Sequence, residues 1–251
     1  MARVFRPIPW DSIRLLVFDL DGTLVDSAED LCAAVNAMLF HFGRAPLPRA
    51  VIAGYVGDGV SWLVRRALAG SAAGTRGEAV NGALENGALE EHFVESAVSW
   101  FLDYYQEHKL DHTQAYPGVH RAIEELRRGS AARAMAVLTN KPVRPSVAIC
   151  DALGLSPFFF RIYGGNSFPT KKPDPAGLRL LMEEAGAAPQ ETLMIGDSAV
   201  DVLTAHNAGA WSVGCGYGLA PHTLHEPRPD CIVDSPSEWP EVLRSEQQLH
   251  Q

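Results

Sequence analysis

The stretch Leu15-Leu16-Val17-Phe18-Asp19-Leu20-Asp21-Gly22-Thr23-Leu24-Val25-Asp26-Ser27 constrains this chain more than any other. A short apolar run stops abruptly at two carboxylates separated by a single leucine. An apolar run of strand length, bounded by a turn signal, reads as a parallel strand buried on both faces. Asp19 and Asp21 then fall at its carboxyl end, where open α/β sheets hold their ligands. Two acids there can divide labour. Asp19, leaving the strand, can attack as a nucleophile, and Asp21, in the loop, can give and take a proton. Gly22 permits the tight turn such a loop needs. A plainer reading, an Asp-Gly turn after a core strand, accounts for the same residues. A calcium loop also opens with Asp-x-Asp, but it needs glycine at its sixth position. Leu24 stands there, so calcium is excluded.

The segments that follow are read from periodicity. In residues 27–42, Ser27 and Asp30 have the spacing of a capping box, and Leu31, Val35, Met38, Leu39 and Phe42 share one helical face. Pro46-Leu47-Pro48 opens a second short helix, and Tyr55-Val56-Gly57-Asp58-Gly59 forms a loop before a helix over residues 60–69. Residues 70–87 are rich in Gly, Ala, Ser and Asn and read as a mobile loop with room for one frail helical turn. An amphipathic helix over 89–108 presents Phe93, Ala97, Trp100, Phe101 and Tyr104 as its buried face. From Tyr116-Pro117-Gly118 onward, helices and short apolar strands alternate, with strands expected at 134–138, 162–163, 192–195, 211–214 and 231–233. Alternation of this kind builds a parallel sheet with helices on both faces. Residues 1–25 and 111–251 therefore form an α/β core, and residues 26–110 an all-helical insert. The last residues, 246–251, read as frayed.

Length and charge narrow the function. A chain of 251 residues, 47% of them hydrophobic, suits one large domain or a core with an insert. No apolar run approaches the ~18 residues of a membrane span, and no secretory signal is read at the N-terminus. The four cysteines (Cys32, Cys150, Cys215, Cys231) form no Cys-x-x-Cys pair. Disulfides and a zinc site are not expected, and a reducing cytoplasm fits. A net charge of −9 without a basic stripe argues against nucleic acid.

Three further places carry chemistry. Thr139-Asn140 ends a strand, where a hydroxyl and an amide can hold phosphate oxygens or simply cap a turn. In Lys171-Lys172-Pro173-Asp174-Pro175, Lys172 stands just before a helix start, a place that favours anions, unless the pair is only a solvated surface doublet. In Gly196-Asp197-Ser198-Ala199-Val200-Asp201 a strand again ends in acid. Such acids can ligate Mg²⁺ through oxygen, and Asp197 as a helix cap is the alternative.

The order Asp-x-Asp-Gly-Thr, Thr-Asn, Lys-Pro, Gly-Asp-Ser-x-x-Asp resembles the haloacid dehalogenase superfamily of phosphohydrolases over nearly the whole chain. Tyr55-Val-Gly-Asp-Gly-Val60, Tyr116-Pro-Gly-Val119 and the stretch from Gly164 to Pro175 look most like its phosphoglycolate phosphatase branch. Asn166 stands where that branch suggests Asp, and His206-Asn207 where Arg-Ala is commoner. The resemblance implies a Rossmann-like doubly wound core with a helical cap. It also implies a magnesium-dependent phosphate monoester hydrolase acting through an aspartyl-phosphate on a small phosphorylated metabolite, 2-phosphoglycolate first. On that reading Asp19, Asp21, Thr139 and Lys172 are catalytic. Leu20, Gly22, Thr139, Asn140, Lys172 and Gly57 bind substrate. Mg²⁺ is held by Asp19, Asp197 and the backbone carbonyl of Asp21, with Ser198 and Asp201 supporting. An acid at Asp21 separates phosphatases and mutases from dehalogenases, whose halide needs no proton. Another small-ester phosphatase, a sugar-phosphate mutase of the β-phosphoglucomutase type and a non-catalytic binding module remain alternatives. No membrane or nucleic-acid partner is expected, and the oligomeric state is left open.

Overall fold

The structure is a computed structural model that describes residues 2–73, 90–128 and 133–242. Its strands are β1 (Arg3–Val4), β2 (Leu15–Phe18), β3 (Val25–Asp26), β4 (Gln114–Ala115), β5 (Ala134–Leu138), β6 (Arg161–Tyr163), β7 (Thr192–Gly196), β8 (Trp211–Cys215) and β9 (Cys231–Val233). The chain divides into two compact units, Met1–Asp26 with Ala115–Gln251, and Ser27–Gln114.

The first unit holds a sheet of order β1-β9-β8-β7-β2-β5-β6. All neighbours are parallel except β1, which lies antiparallel on β9. This is the mixed α/β, Rossmann-like architecture expected from the alternating pattern. β2 sits between β5 and β7, with Phe18 level with Val137 on one side and Ile195 on the other. Successive strand side chains point to opposite faces, and both faces are dry. Leu16, Phe18, Val137 and Ile195 pack with Val119, Ile123 and Leu126 of α5 (Val119–Arg128) and Ile149 of α6 (Val143–Ala152). Leu15, Val17, Ala136 and Met194 pack with Leu178 and Leu181 of α7 (Ala176–Ala185) and Ala205 of α8 (Ala199–Ala208). That double burial is why β2 reads as an unbroken apolar run. Each buried Leu, Val or Phe contributes about 1.5–3 kcal/mol from its removal from water. A short helix, α9 (Glu238–Val242), closes the described chain and buries Trp239 against Phe18.

The second unit is helical. It is built from α1 (Ala28–His41), α2 (Arg49–Ala53), α3 (Val60–Ala73) and α4 (Glu91–His108) around Val35, Met38, Leu39, Val64, Leu68 and Phe101. The start of α1 departs from the capping-box expectation. Ser27 makes no side-chain cap bond. The Asp30 carboxylate accepts the His112 and Thr113 N–H groups and the Thr113 hydroxyl, tying the end of this unit to its beginning. On α4 the buried stripe is Val94, Ala97, Phe101 and Tyr105, one position round from the expected face. Phe93, Trp100 and Tyr104 lie at its margin, where Trp100 stacks on His41 and Tyr104. Aromatic rings with a polar atom favour such half-wet positions.

Residues 70–73, expected in a loop, extend α3. Residues 74–87 of that loop, and the tail 246–251, lie outside the described residues. All four cysteines are buried and unbridged. Among the described residues no helix is long and apolar enough to cross a membrane.

Candidate active site

Parallel register gathers the chemistry. With Phe18, Val137 and Ile195 level, Asp19, Thr139 and Asp197 each follow directly on the last residue of β2, β5 and β7. Asp19 and Asp197 are both buried, as is Asp201 one helical turn later. Carboxylate oxygens of these three lie within 4.8 Å of one another. Lys172 reaches into the same cluster, its Nζ 2.8 Å from Asp19 Oδ1 and 2.6 Å from Asp201 Oδ1.

Crowding of buried acids shifts their protonation. Burial pushes the Asp19 carboxyl up to about 6, with the Lys172 ammonium opposing and Asp201 and Asp21 adding to the rise. Burial, then the charges of Asp201 and Asp19, push Asp197 up to about 8, against the N–H groups of Ala220 and Leu219. For Lys172 burial disfavours the charge, but Asp19 and Asp201 outweigh it and hold the ammonium well above its usual range.

The supports are specific. Asp201 Oδ2 accepts the Ser198 N–H and hydroxyl at 3.1 and 2.7 Å, which aims Oδ1 at Lys172. Both Asp201 oxygens are thus engaged, Oδ1 with Lys172 and Oδ2 with Ser198. Asn140 grips the Lys172 backbone with both arms of its amide: Oδ1 accepts the N–H at 2.9 Å and Nδ2 donates to the C=O at 3.0 Å. Asn140 therefore fixes Lys172, a role sequence reasoning did not anticipate. The helix start beyond Lys172 is taken by Asp174, which accepts the Ala176 N–H, so Lys172 is placed by Asn140 and Asp201 and not by a helix end. Asn207 donates to the Pro173 carbonyl, and Asn166 accepts the Val143 N–H at the start of α6. Both departures from the expected pattern have structural work near the site.

Gly22, expected to bind substrate, has its backbone N–H and its lack of a side chain put to other use. Its N–H is committed to the Val25 carbonyl at 2.9 Å. Its φ is +86°, and a Cβ there would lie 2.2 Å from Asp197 Oδ2. A Cβ at Gly218 would lie 2.2 Å from Asp197 Cβ. Asp197 is thus wedged between two glycines while its Oδ2 accepts the Leu219 and Ala220 N–H groups at 2.7 and 2.9 Å. The loop 216–220 was not foreseen, since nothing in Gly-Tyr-Gly-Leu-Ala names a partner. Leu20 is fully buried, and the Thr139 hydroxyl, also buried, accepts the Lys141 N–H at 3.3 Å. Gly57 belongs to the helical unit. The Asp21 carboxylate lies outside the acidic trio and pairs instead with Lys141, whose Nζ stands 3.0 Å from each of its oxygens.

Three buried carboxyl groups share the one ammonium of Lys172, and the negative charge they would carry together is in excess, so protons are held there in the absence of a cation. An all-oxygen donor set of this kind suits a hard divalent cation such as Mg²⁺. A consequence is measurable. Folded-state pKa values of about 6 and about 8 for Asp19 and Asp197 stand above the roughly 3.9 of an unfolded aspartate. Between those values the folded state binds more protons. The stability these groups contribute is therefore complete below about pH 4 and is lost as pH rises through 6 and then 8. Metal-free protein should lose melting temperature over that range. Added Mg²⁺ should restore more at the alkaline end, because it binds the deprotonated acids. Thermal melts with and without Mg²⁺ check this, and Asp197→Asn should flatten the slope.

A family model described as haloacid dehalogenase-like hydrolase matches residues 13–209. A phosphoglycolate phosphatase of Pseudomonas putida is 42% identical over 206 residues, 82% of this chain and 70% of that protein. Phosphoglycolate phosphatase 1 of Pseudomonas aeruginosa is 39% identical over 224 residues, 88% of this chain and 76% of that protein. The crystal structure of a predicted phosphoglycolate phosphatase from Haemophilus somnus superposes with a TM-score of 0.79 at 29% identity, covering 92% of this chain and 98% of that one.

Proposed function

Since the chain belongs to the haloacid dehalogenase-like hydrolase family, we propose that this enzyme is a Mg²⁺-dependent phosphate monoester hydrolase. It works through an aspartyl-phosphate on a small metabolite, with 2-phosphoglycolate as the favoured substrate. The observation that carries the reaction class is the buried Asp19 carboxylate at the end of β2. It is paired with Lys172, and a second acid, Asp21, stands two residues on. The substrate rests on the names of the relatives.

Asp19 Oδ attacks phosphorus as the P–O ester bond breaks, and the electron pair goes to the ester oxygen. Asp21 supplies the proton that oxygen needs, then takes one from the water that attacks phosphorus and frees the Asp19 carboxylate. Lys172, held by Asn140 and Asp201, and the Thr139 hydroxyl meet the equatorial phosphoryl oxygens, where charge spreads in the transition state. Backbone N–H groups at Leu20 and Asp21 would complete that cradle. Mg²⁺, held by Asp19, Asp197 and the Asp21 carbonyl, would offset the repulsion between the nucleophile and its anionic target.

These groups recognise only the phosphoryl end, so ester choice lies elsewhere. We assign it to the helical unit as a cap, with the loop Tyr55–Gly59 as the reader. Gly57 and Gly59 take φ of +123° and +92° there, and a Cβ at Gly57 meets nothing within 4 Å.

A panel of small phosphate esters assayed with Mg²⁺, on wild type and on Gly57→Val, tests the assignment. Phosphate release should be fastest, by kcat/KM, from 2-phosphoglycolate. Gly57→Val should lower kcat/KM for that ester and change p-nitrophenyl phosphate hydrolysis much less. Equal losses on both would mean a strained fold and not a reader. Isomerisation that needs a bisphosphate primer, without steady phosphate release, would make the enzyme a mutase. No release from any ester would remove the reading.

A further inference from the structure

We propose that Lys141 is the positioning residue for the acid–base step, holding the Asp21 carboxylate in the orientation from which it serves the leaving oxygen. The inference rests on the reading of Asp21 as the general acid given above. Lys141 was passed over in the sequence because a lysine after a strand is ordinarily a solvated surface residue. Here its side chain is only 5% exposed and that of Asp21 12%. Its Nζ stands 3.0 Å from both Asp21 oxygens, across 120 residues of sequence. A surface ion pair contributes little, but an ammonium this deeply buried is tied to its partner.

Lys141 is also held by its backbone, which a merely convenient counter-ion would not require. Its N–H donates to Thr139 Oγ1 at 3.3 Å, and its C=O accepts the Gly165 N–H at 2.8 Å. The preceding residue, Asn140, is locked to Lys172 by both arms of its amide. The loop at Gly164-Gly165 presses against this turn: a Cβ on Gly165 would lie 2.3 Å from the Asn140 carbonyl oxygen, and one on Gly164 2.3 Å from the Val143 nitrogen. Only glycine allows that approach. The turn therefore delivers a rigid cation to a carboxylate that sits in a loop. Contact at equal distance with both oxygens holds the head of the carboxylate in place. A carboxylate oxygen has two lone pairs, so one that meets an ammonium can also bind a proton.

The step served is proton donation. As the Asp19 Oδ–P bond forms and the P–O ester bond breaks, the electron pair moves to the ester oxygen, which takes the proton from Asp21 Oδ. An alkoxide leaves poorly without that proton, whereas p-nitrophenolate leaves without help. A positioning role thus predicts a dependence on leaving group that a purely structural pin does not.

The experiment measures kcat/KM for a series of alkyl and aryl phosphates, because that ratio reports events up to the first irreversible bond cleavage. Wild type, Lys141→Met, Lys141→Arg and Asp21→Asn are compared with Mg²⁺ at saturation. Lys141→Met should lose about 10²-fold on alkyl phosphates, the scale of misplaced general acid catalysis, and only a few-fold on p-nitrophenyl phosphate. Lys141→Arg should recover most of the loss. If Lys141→Met does not fold, Lys141→Gln takes its place and is scored by the same slope. A loss equal across the series would reduce Lys141 to a structural pin and overturn the proposal. A loss confined to carboxylate-bearing esters, when compared with neutral alkyl phosphates, would make it a substrate anchor and overturn it equally. Asp21→Asn separates the two layers of inference. If it shows no leaving-group dependence, the acid assignment fails and Lys141 with it. If it is steep while Lys141→Met is flat, Lys141 alone is wrong.

Discussion

Asp19→Asn is expected to lower phosphate release by roughly 10³-fold or more, on the scale at which enzymes lose rate when a nucleophile is removed. The amide keeps the shape of the carboxylate but has no charge to attack phosphorus. The fold should survive the change. Lys172 keeps Asp201 as a partner at 2.6 Å, and an asparagine carbonyl can still face the ammonium that Asp19 Oδ1 meets at 2.8 Å. A melting curve close to wild type, beside a collapsed rate, would place the loss in chemistry. Near-normal turnover would mean that no covalent step passes through Asp19.

The second large effect concerns Asp197. Its Oδ2 already accepts two backbone N–H groups, from Leu219 and Ala220. An asparagine must either keep its oxygen there and turn an NH₂ toward the cation, or offer the cation its oxygen and set the NH₂ against two donors. Either arrangement weakens the site. Asp197→Asn should raise the Mg²⁺ concentration for half-maximal rate by about 10- to 100-fold, the range reached even by groups that act on a metal indirectly. Activity titrated against Mg²⁺ measures it, and an unshifted midpoint would remove Asp197 from the ligands.

The parts of the molecule that were legible share a physical cause. Leu15 to Phe18 could be read as a central strand because alternate residues enter two different cores, which leaves no polar position in the run. Asp19, Thr139 and Asp197 could be read as site residues because each breaks such a run at its carboxyl end. What could not be read depends on partners distant in sequence. Asn140 looks like a phosphate ligand until its amide is seen to span the Lys172 backbone. Asp30 has the spacing of a capping box, yet it binds residues 112 and 113. Periodicity revealed α4 but misjudged its rotation, since Phe93, Trp100 and Tyr104 are apolar enough to imitate the buried stripe. The two-residue β1 is exposed and carries no alternation, so only its register against Ile232 and Cys231 identifies it.

The covalent step at Asp19 is the centre of the account, and trapping it is the most direct test. Enzyme mixed with Mg²⁺ and 2-phosphoglycolate would be quenched in acid during turnover, digested and mapped by mass spectrometry. The account predicts one phosphoryl group on the Asp19 carboxylate, rising and decaying with the reaction and absent from Asp19→Asn. Full turnover with no phosphoryl group at Asp19, or with one carried by a different residue, would contradict it.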